Sequence, residues 1–165
     1  MIETAQGVVN VEPISLCGSV EAVVFGSNDF TKDIQAKCIE FGRLPLYYSM
    51  SKCVVAARAA GKAVIDGVFM DLNDPEGFKR DCLLGKSFGF DGKSLIHPNQ
   101  ILLANSVFSP SLEEVNYARR VISAYAKARE DGKSLAVLDG KLIEYLHVQE
   151  ATATIRSFDD IHRDA

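Results

Sequence analysis

Four short runs limit what this chain can fold into. Met1–Thr4 is an apolar start that meets an acid at Glu3. Ala22–Phe25 (AVVF), Ala63–Met70 (AVIDGVFM) and Ser94–Ile96 (SLI) are short, largely apolar runs bounded by Gly, Asp or Pro. A strand with one wet face alternates apolar and polar residues, whereas a short continuous run suits a strand covered on both faces, as in a parallel sheet. Helical patterns lie between the runs. Ser49–Ala60 (SMSKCVVAARAA) is rich in alanine and stops at Gly61. Asp74-Pro75-Glu76 opens another helix, with Asp as cap, Pro at the first helical position and Glu in the first turn. Phe78, Cys82 and Leu83 share one face of it. Strand–helix alternation at these lengths predicts an α/β fold.

After Pro110 the character changes. Ser111-Leu-Glu-Glu114 fits a capping box, and Val115, Ala118, Ile122 and Tyr125 follow at helical spacing up to Gly132. Two apolar runs then flank Asp139-Gly140, a strong two-residue hairpin signal. A short helix is expected over Val148–Ile155, with the polar end SFDDIHRDA fraying. The four candidate parallel strands pose a problem of size. A closed (β/α)₈ barrel needs about 250 residues, and the chain has 165. It is either a small open sheet or the second half of a larger domain.

Composition narrows the function. Hydrophobic residues make up 47% of the chain, enough for a core and too many for a disordered tail. The net charge of −4 argues against nucleic-acid or membrane-surface partners, whose affinity comes from clustered Lys and Arg. No run approaches the ~20 apolar residues of a membrane span, and the N-terminus does not read as a signal peptide. Cys17, Cys38, Cys53 and Cys82 form no CxxC pair, so buried free thiols in a reducing cytoplasm are expected. Lys and Arg are scattered and read as solvated faces.

The chemistry-bearing residues cluster at strand ends. Glu3 sits where the first strand should end, and Asp29 follows AVVFGSN just past the second. In parallel α/β folds the C-terminal strand ends converge on one face, where sites are built. Two carboxylates there suit one Mg²⁺, which takes oxygen ligands from one or two acids plus water and substrate. From spacing alone the signal is weak, and Asp29 as a helix cap and Glu3 as a solvated acid are the plainer reading. Gly26-Ser27-Asn28 exposes backbone N–H groups that suit an anion, or forms an ordinary strand-to-helix turn. His97 before Pro98 either binds substrate or anchors a turn. Asp66, inside an apolar run, requires a backbone or basic partner. Glu144 lies in the returning hairpin strand, where an exposed edge acid is the plain reading. His147 and His162 have no partner at suggestive spacing.

Five segments, taken in order, carry a resemblance. MIETAQGVVN, VVFGSNDFTKDI, AARAAGKAVIDGVFMDLNDPEGF, GFDGKSLIHPNQI with FSPSLEEV, and DGKLIEYLHV together resemble the C-terminal part of the citrate lyase beta subunit-like CoA-ester lyases, within the HpcH/HpaI aldolase superfamily. The resemblance implies that residues 1–108 are the C-terminal half of a TIM (β/α)₈ barrel, about four β/α units. It implies that residues 109–165 are a helix, hairpin and tail extension. It also implies Mg²⁺-dependent cleavage or formation of a carbon–carbon bond in a 3-hydroxyacyl-CoA such as malyl-CoA or citramalyl-CoA, giving acetyl-CoA and a 2-keto acid. Glu3 and Asp29 match the family's metal ligands. Gly26, Ser27 and Asn28 match the turn that holds the keto-acid carboxylate. Glu144 matches the acid that reaches a neighbouring subunit as base, which implies a homo-oligomer, a trimer or hexamer, for the full-length form.

Three departures stand beside these matches. Better-known members have Asp where this chain has Glu144. Many have Arg where Met50 stands. The family's N-terminal half has no counterpart here, so the chain alone is expected to be inactive or to work by pairing with another half. The alternatives are a metal-dependent aldolase on free 2-keto acids and a non-catalytic product of a truncated or split gene.

Overall fold

A computed structural model describes residues 1–37 and 42–163; Cys38 lies outside the described residues. The chain divides into two compact units, Met1–Phe108 and Ser109–Ala165. The first contains α1 (Ala5–Val9), α2 (Val11–Ser15), β1 (Ala22–Val24), α3 (Ser27–Asp33), α4 (Tyr47–Ala59), β2 (Ala63–Asp66), α5 (Pro75–Phe88), β3 (Gly92–Lys93) and α6 (Ile101–Phe108). Its sheet is parallel, in the order β1-β2-β3, with Val23 beside Val64 and Asp66 beside Lys93. Each crossover runs through helix, as a parallel connection requires.

Period-two alternation assigns the faces of this sheet. Val23, Phe25 and Val64 are buried with Met50, Cys53, Ala56 and Ala57 of α4 in one core. Val24 and Ile65, on the opposite face, are half-buried. Phe78 and Cys82 of α5 form a second cluster with Ala104 and Val107 of α6. Leu83, expected on that buried face, is instead 49% exposed. Asp74 caps α5 as expected, accepting the N–H of Gly77 at 2.7 Å.

The strands are shorter than the apolar runs. Met1–Thr4 contributes a single parallel bridge, Ile2 to Phe25, because Thr4 turns the chain by capping α1 through the N–H of Gly7. β2 stops at Asp66, four residues before the end of its run, and Met70 is 60% exposed. The third paired segment is Gly92–Lys93, not Ser94–Ile96. Ser94 still donates to Asp66 O at 2.9 Å, but the Ile96 N–H is taken by Gln100 Oε1. His97 then opens a 3₁₀ turn over Pro98–Gln100.

The second unit contains α7 (Leu112–Glu130), β4 (Ala136–Leu138), β5 (Lys141–Ile143) and α8 (Tyr145–His162). The capping box at Ser111 is complete: Ser111 Oγ accepts from Glu114 N, and Glu114 Oε2 accepts from Ser111 N. Asp139 and Gly140 both take positive φ, 50° and 76°, the geometry of a type I′ turn joining antiparallel strands. Ala118, Val121, Ala128, Ala136, Ile143 and Ala151 form the core of this unit. α8 is longer than expected at both ends. It starts at Tyr145, behind Glu144, and continues through the polar SFDDIH segment, which is helical.

Candidate active site at the strand ends

The site grows from the pairing of Ile2 with the end of β1. Ile2 N–H donates to Val24 O at 2.7 Å, and Gly26 N–H donates to Ile2 O at 2.8 Å. This ladder puts Glu3 level with Gly26. On the far side of Glu3 the chain is held by the Thr4 cap and by Asp33, whose Oδ2 accepts the Ala5 N–H at 2.7 Å. Gly26 is required here. A Cβ on it would stand 2.4 Å from Glu3 Cγ and 2.9 Å from Glu3 Oε1, so the bare backbone gives the glutamate side chain room to lie over the turn.

α3 begins at Ser27 with Gly26 as its cap and no capping side chain. Asp29 therefore does not cap this helix. It stands in the first turn, where the helix dipole favours negative charge, while the Ser27 N–H is given to Phe25 O at 3.1 Å. Glu3, Gly26, Ser27, Asn28 and Asp29 line one small cavity of about 120 Å³, together with Gly67, Val68 and Ser94. Glu3 is half-buried rather than fully solvated, and Asp29 is exposed. Among the described residues neither carboxylate is in an ion pair. The donor set suits Mg²⁺: two acids on one cavity, beside a glycine turn that leaves space, match an ion that takes its other oxygens from water and substrate. Among the described residues no group of three or more His, Cys, Asp or Glu gathers at a possible metal position.

The other singled-out residues are placed elsewhere. His97 Nδ1 accepts the Asn99 N–H at 3.1 Å and so anchors its turn. Glu144 does not lie in a strand. It is the N-cap residue of α8 in the second unit, exposed, and its N–H donates to His147 Nδ1 at 3.0 Å. His147 thus has the partner its spacing did not suggest, and His162 Nδ1 lies 2.8 Å from Phe158 O. Met50 is fully buried in the first core, so this position packs hydrophobically instead of contacting an anion. Cys17 is exposed, contrary to expectation, while Cys53 and Cys82 are buried. Burial pushes the Cys53 thiol up to about 12 and the Cys82 thiol to about 11, which leaves both protonated at neutral pH.

Sequence reasoning missed one cluster behind the cavity. Asp66 has the basic partners its burial demands: Arg43 donates to both of its oxygens, and Lys93 Nζ lies 2.8 Å from Oδ2. Asp81 closes the group from α5, 3.2 Å from Arg43 and 2.5 Å from Lys93. Lys93 has no exposed side-chain surface, so reading all Lys and Arg as solvated is wrong here. Burial works to raise the Asp66 carboxyl, yet the Arg43 hydrogen bonds and the charges of Lys93 and Arg43 outweigh it and hold it below the ordinary carboxylate value. The available signal was Asp66 itself, a charge that burial does not allow to stand alone.

Residues 1–98 match the family HpcH/HpaI aldolase/citrate lyase. The chain is 41% identical to a (3S)-malyl-CoA thioesterase of Cereibacter sphaeroides, over 94% of this chain and 54% of that protein. It is 33% identical to the mitochondrial citramalyl-CoA lyase of Homo sapiens, over 93% of this chain and 48% of that one. The citrate lyase beta subunit of M. tuberculosis, solved with oxaloacetate and magnesium, is 27% identical with a TM-score of 0.60, over 66% of this chain and 50% of that one. The chain spans about half the length of the curated relatives it matches.

Proposed function

This chain belongs to the HpcH/HpaI aldolase/citrate lyase family, and on that premise we propose that it carries the metal- and keto-acid-binding part of a Mg²⁺-dependent CoA-ester lyase. The reaction is cleavage, or the reverse formation, of a 3-hydroxyacyl-CoA such as malyl-CoA or citramalyl-CoA to acetyl-CoA plus a 2-keto acid. One observation carries the reading: Glu3 and Asp29, from separate elements, line the same cavity as the Gly26–Asn28 turn. In this reading Glu3 and Asp29 hold the Mg²⁺. The ion supplies Lewis-acid polarisation of the keto-acid carbonyl when bound. The Gly26–Asn28 turn at the start of α3 orients the keto-acid carboxylate through the Asn28 N–H, since the Gly26 and Ser27 N–H groups are given to Ile2 O and Phe25 O. Glu144 moves the proton at the acetyl carbon, delivered from a neighbouring copy in a homo-oligomer. Residues 1–108 act as the second half of a (β/α)₈ barrel, with the site at its C-terminal strand ends. Free thiols at Cys17, Cys53 and Cys82 suit a cytoplasmic setting.

A second reading is favoured by the relative at 41% identity, a malyl-CoA thioesterase. The same site would then hold a 3-hydroxyacyl-CoA for hydrolysis to free CoA and the hydroxy acid. Product analysis separates the two, since only the lyase yields acetyl-CoA and a keto acid.

Titration calorimetry of Mg²⁺ in the presence of pyruvate tests the site. Binding should weaken by roughly tenfold or more in Asp29→Ala, the loss typical of a removed metal-site group. Equal binding by the variant would remove Asp29 from the site.

A further inference from the structure

Four charges stand next to the cavity wall, the side chains of Asp66 and Lys93 fully buried and those of Arg43 and Asp81 largely so, and the proposed lyase chemistry uses none of them. Asp66 ends β2 on its helix-covered face, where a Cβ on Gly85 of α5 would stand 2.8 Å from Asp66 Oδ2. The bare glycine lets the helix close on the carboxylate. Lys93 ends β3 and joins Asp66 to Asp81, while Arg43 joins the same two acids from the segment before α4. The two cations and two anions balance, so the group exerts little pull on a distant charge. An apolar filling of the same volume would cover α5 at least as well, since buried ion pairs gain little over hydrophobic packing.

The group does have a directed connection to the cavity, through the main chain. Asp66 Oδ1 accepts the Gly67 N–H at 2.8 Å, and the Asp66 carbonyl accepts the Ser94 N–H at 2.9 Å. Gly67 and Ser94 immediately follow Asp66 and Lys93, and both line the same cavity as Glu3 and Asp29. Gly67 also lies hard against the anion-holding turn. A Cβ there would meet Ser27 Oγ at 2.4 Å and Phe25 O at 2.7 Å.

We propose that the Arg43–Asp66–Lys93–Asp81 group is a positioning device, holding the Gly67 and Ser94 wall at the distance from the Ser27 turn at which Glu3 and Asp29 share one metal-bound keto acid. The ligand in this inference rests on the lyase reading above; the wall-holding does not. Asp66 and its partners touch no substrate. They act through the Gly67 amide, which Asp66 Oδ1 fixes, and through the Asp66–Lys93 pair, which ties the ends of β2 and β3 just ahead of Gly67 and Ser94, as supporting hydrogen bonds do around metal sites.

Amide hydrogen exchange by NMR on the full chain, beside Mg²⁺-dependent pyruvate binding, tests this with Asp66→Asn. The amide of Phe25, bonded to Ile65 O at 2.9 Å within the sheet, is the control. Gly67 and Ser94 amides should exchange about tenfold faster with Phe25 unchanged, and pyruvate binding should weaken by about tenfold. Equal acceleration at all three amides would mean a general loosening and would overturn the proposal. So would no change at Gly67 and Ser94, or a faster wall with unchanged binding. Absence of pyruvate binding in the unsubstituted chain counts against the lyase reading, while the exchange pattern still decides whether the group holds the wall. Should Asp66→Asn not fold, Asp81→Asn leaves both cations on Asp66 and is read by the same criteria, with smaller effects in the same direction.

Discussion

Glu3 and Gly26 work as a pair. The Glu3 side chain, Cγ foremost, lies where a Cβ on the glycine would be, so their relation is steric before it is chemical. Gly26→Ala is therefore expected to act on ligand more than on stability. The atoms nearest the new methyl belong to a glutamate side chain, which can swing aside, and swinging aside removes it from the cavity. Calorimetry should show Mg²⁺ binding weakened by roughly tenfold, with a loss of thermal stability of only about 1 kcal/mol or less. A large fall in melting temperature with intact binding would refute this. Asp66 makes a prediction about pH. Its folded-state carboxyl is held below the ordinary value, so it contributes stability that is complete above the unfolded value of about 3.9 and is lost as pH falls through the lowered folded value. Denaturant midpoints measured from neutral pH down through the acid range should fall less steeply for Asp66→Asn than for the unsubstituted chain. Parallel curves would show that the ion group gives no acid linkage.

At the scale of elements, local chemistry dictates the termini, and neighbours dictate the lengths. Ser111 and Glu114 satisfy each other's backbone donors at the start of α7, and Ser111→Ala should cost about 1 kcal/mol of stability to chemical denaturation. A change below a few tenths would mean the cap is replaced by solvent. The strands behave differently. β2 and β3 end where pairing partners end, at Asp66 and Lys93, and the apolar residues beyond them, Val68, Phe69 and Leu95, serve loops and the α5–α6 cluster. A run of apolar residues reports burial without saying what buries it. α8 makes the same point from the other direction. The SFDDIH segment, which reads as polar and frayed, stays helical to His162, whose Nδ1 lies 2.8 Å from Phe158 O.

The whole molecule is an α/β unit and a helix–hairpin–helix unit, each with its own core. Among the described residues its parallel sheet has three strands and one flanking bridge, and a parallel sheet normally has both faces covered. One face here carries helices; on the other, Val24 and Ile65 are only half-buried. The curated relatives it matches are about twice as long. We therefore expect the purified 165-residue chain to bind Mg²⁺ and keto acid without turning over malyl-CoA. Sustained release of acetyl-CoA or free CoA by this chain alone, followed spectrophotometrically with a thiol reagent and by chromatography, would disprove that expectation.

What the sequence determined by itself was local. Asp74-Pro75, Ser111–Glu114 and Asp139-Gly140 each place a cap or turn through bonds made within a few residues, and each forms as read. The α/β class was legible because alternating runs need only their own spacing to be recognised. What the tertiary structure alone decided was everything that depends on separation along the chain. Sequence places Glu3 and Asp29 at neighbouring strand ends, but the register that levels Ile2 with Phe25 and puts both acids on one cavity is set by a ladder between distant segments. The pairing of Arg43 and Lys93 with Asp66 joins residues 23 and 27 apart. Sequence marks Asp66 as a buried charge in need of a partner, but only packing selects which cations come within reach, because the cost of burial falls on the whole group at once.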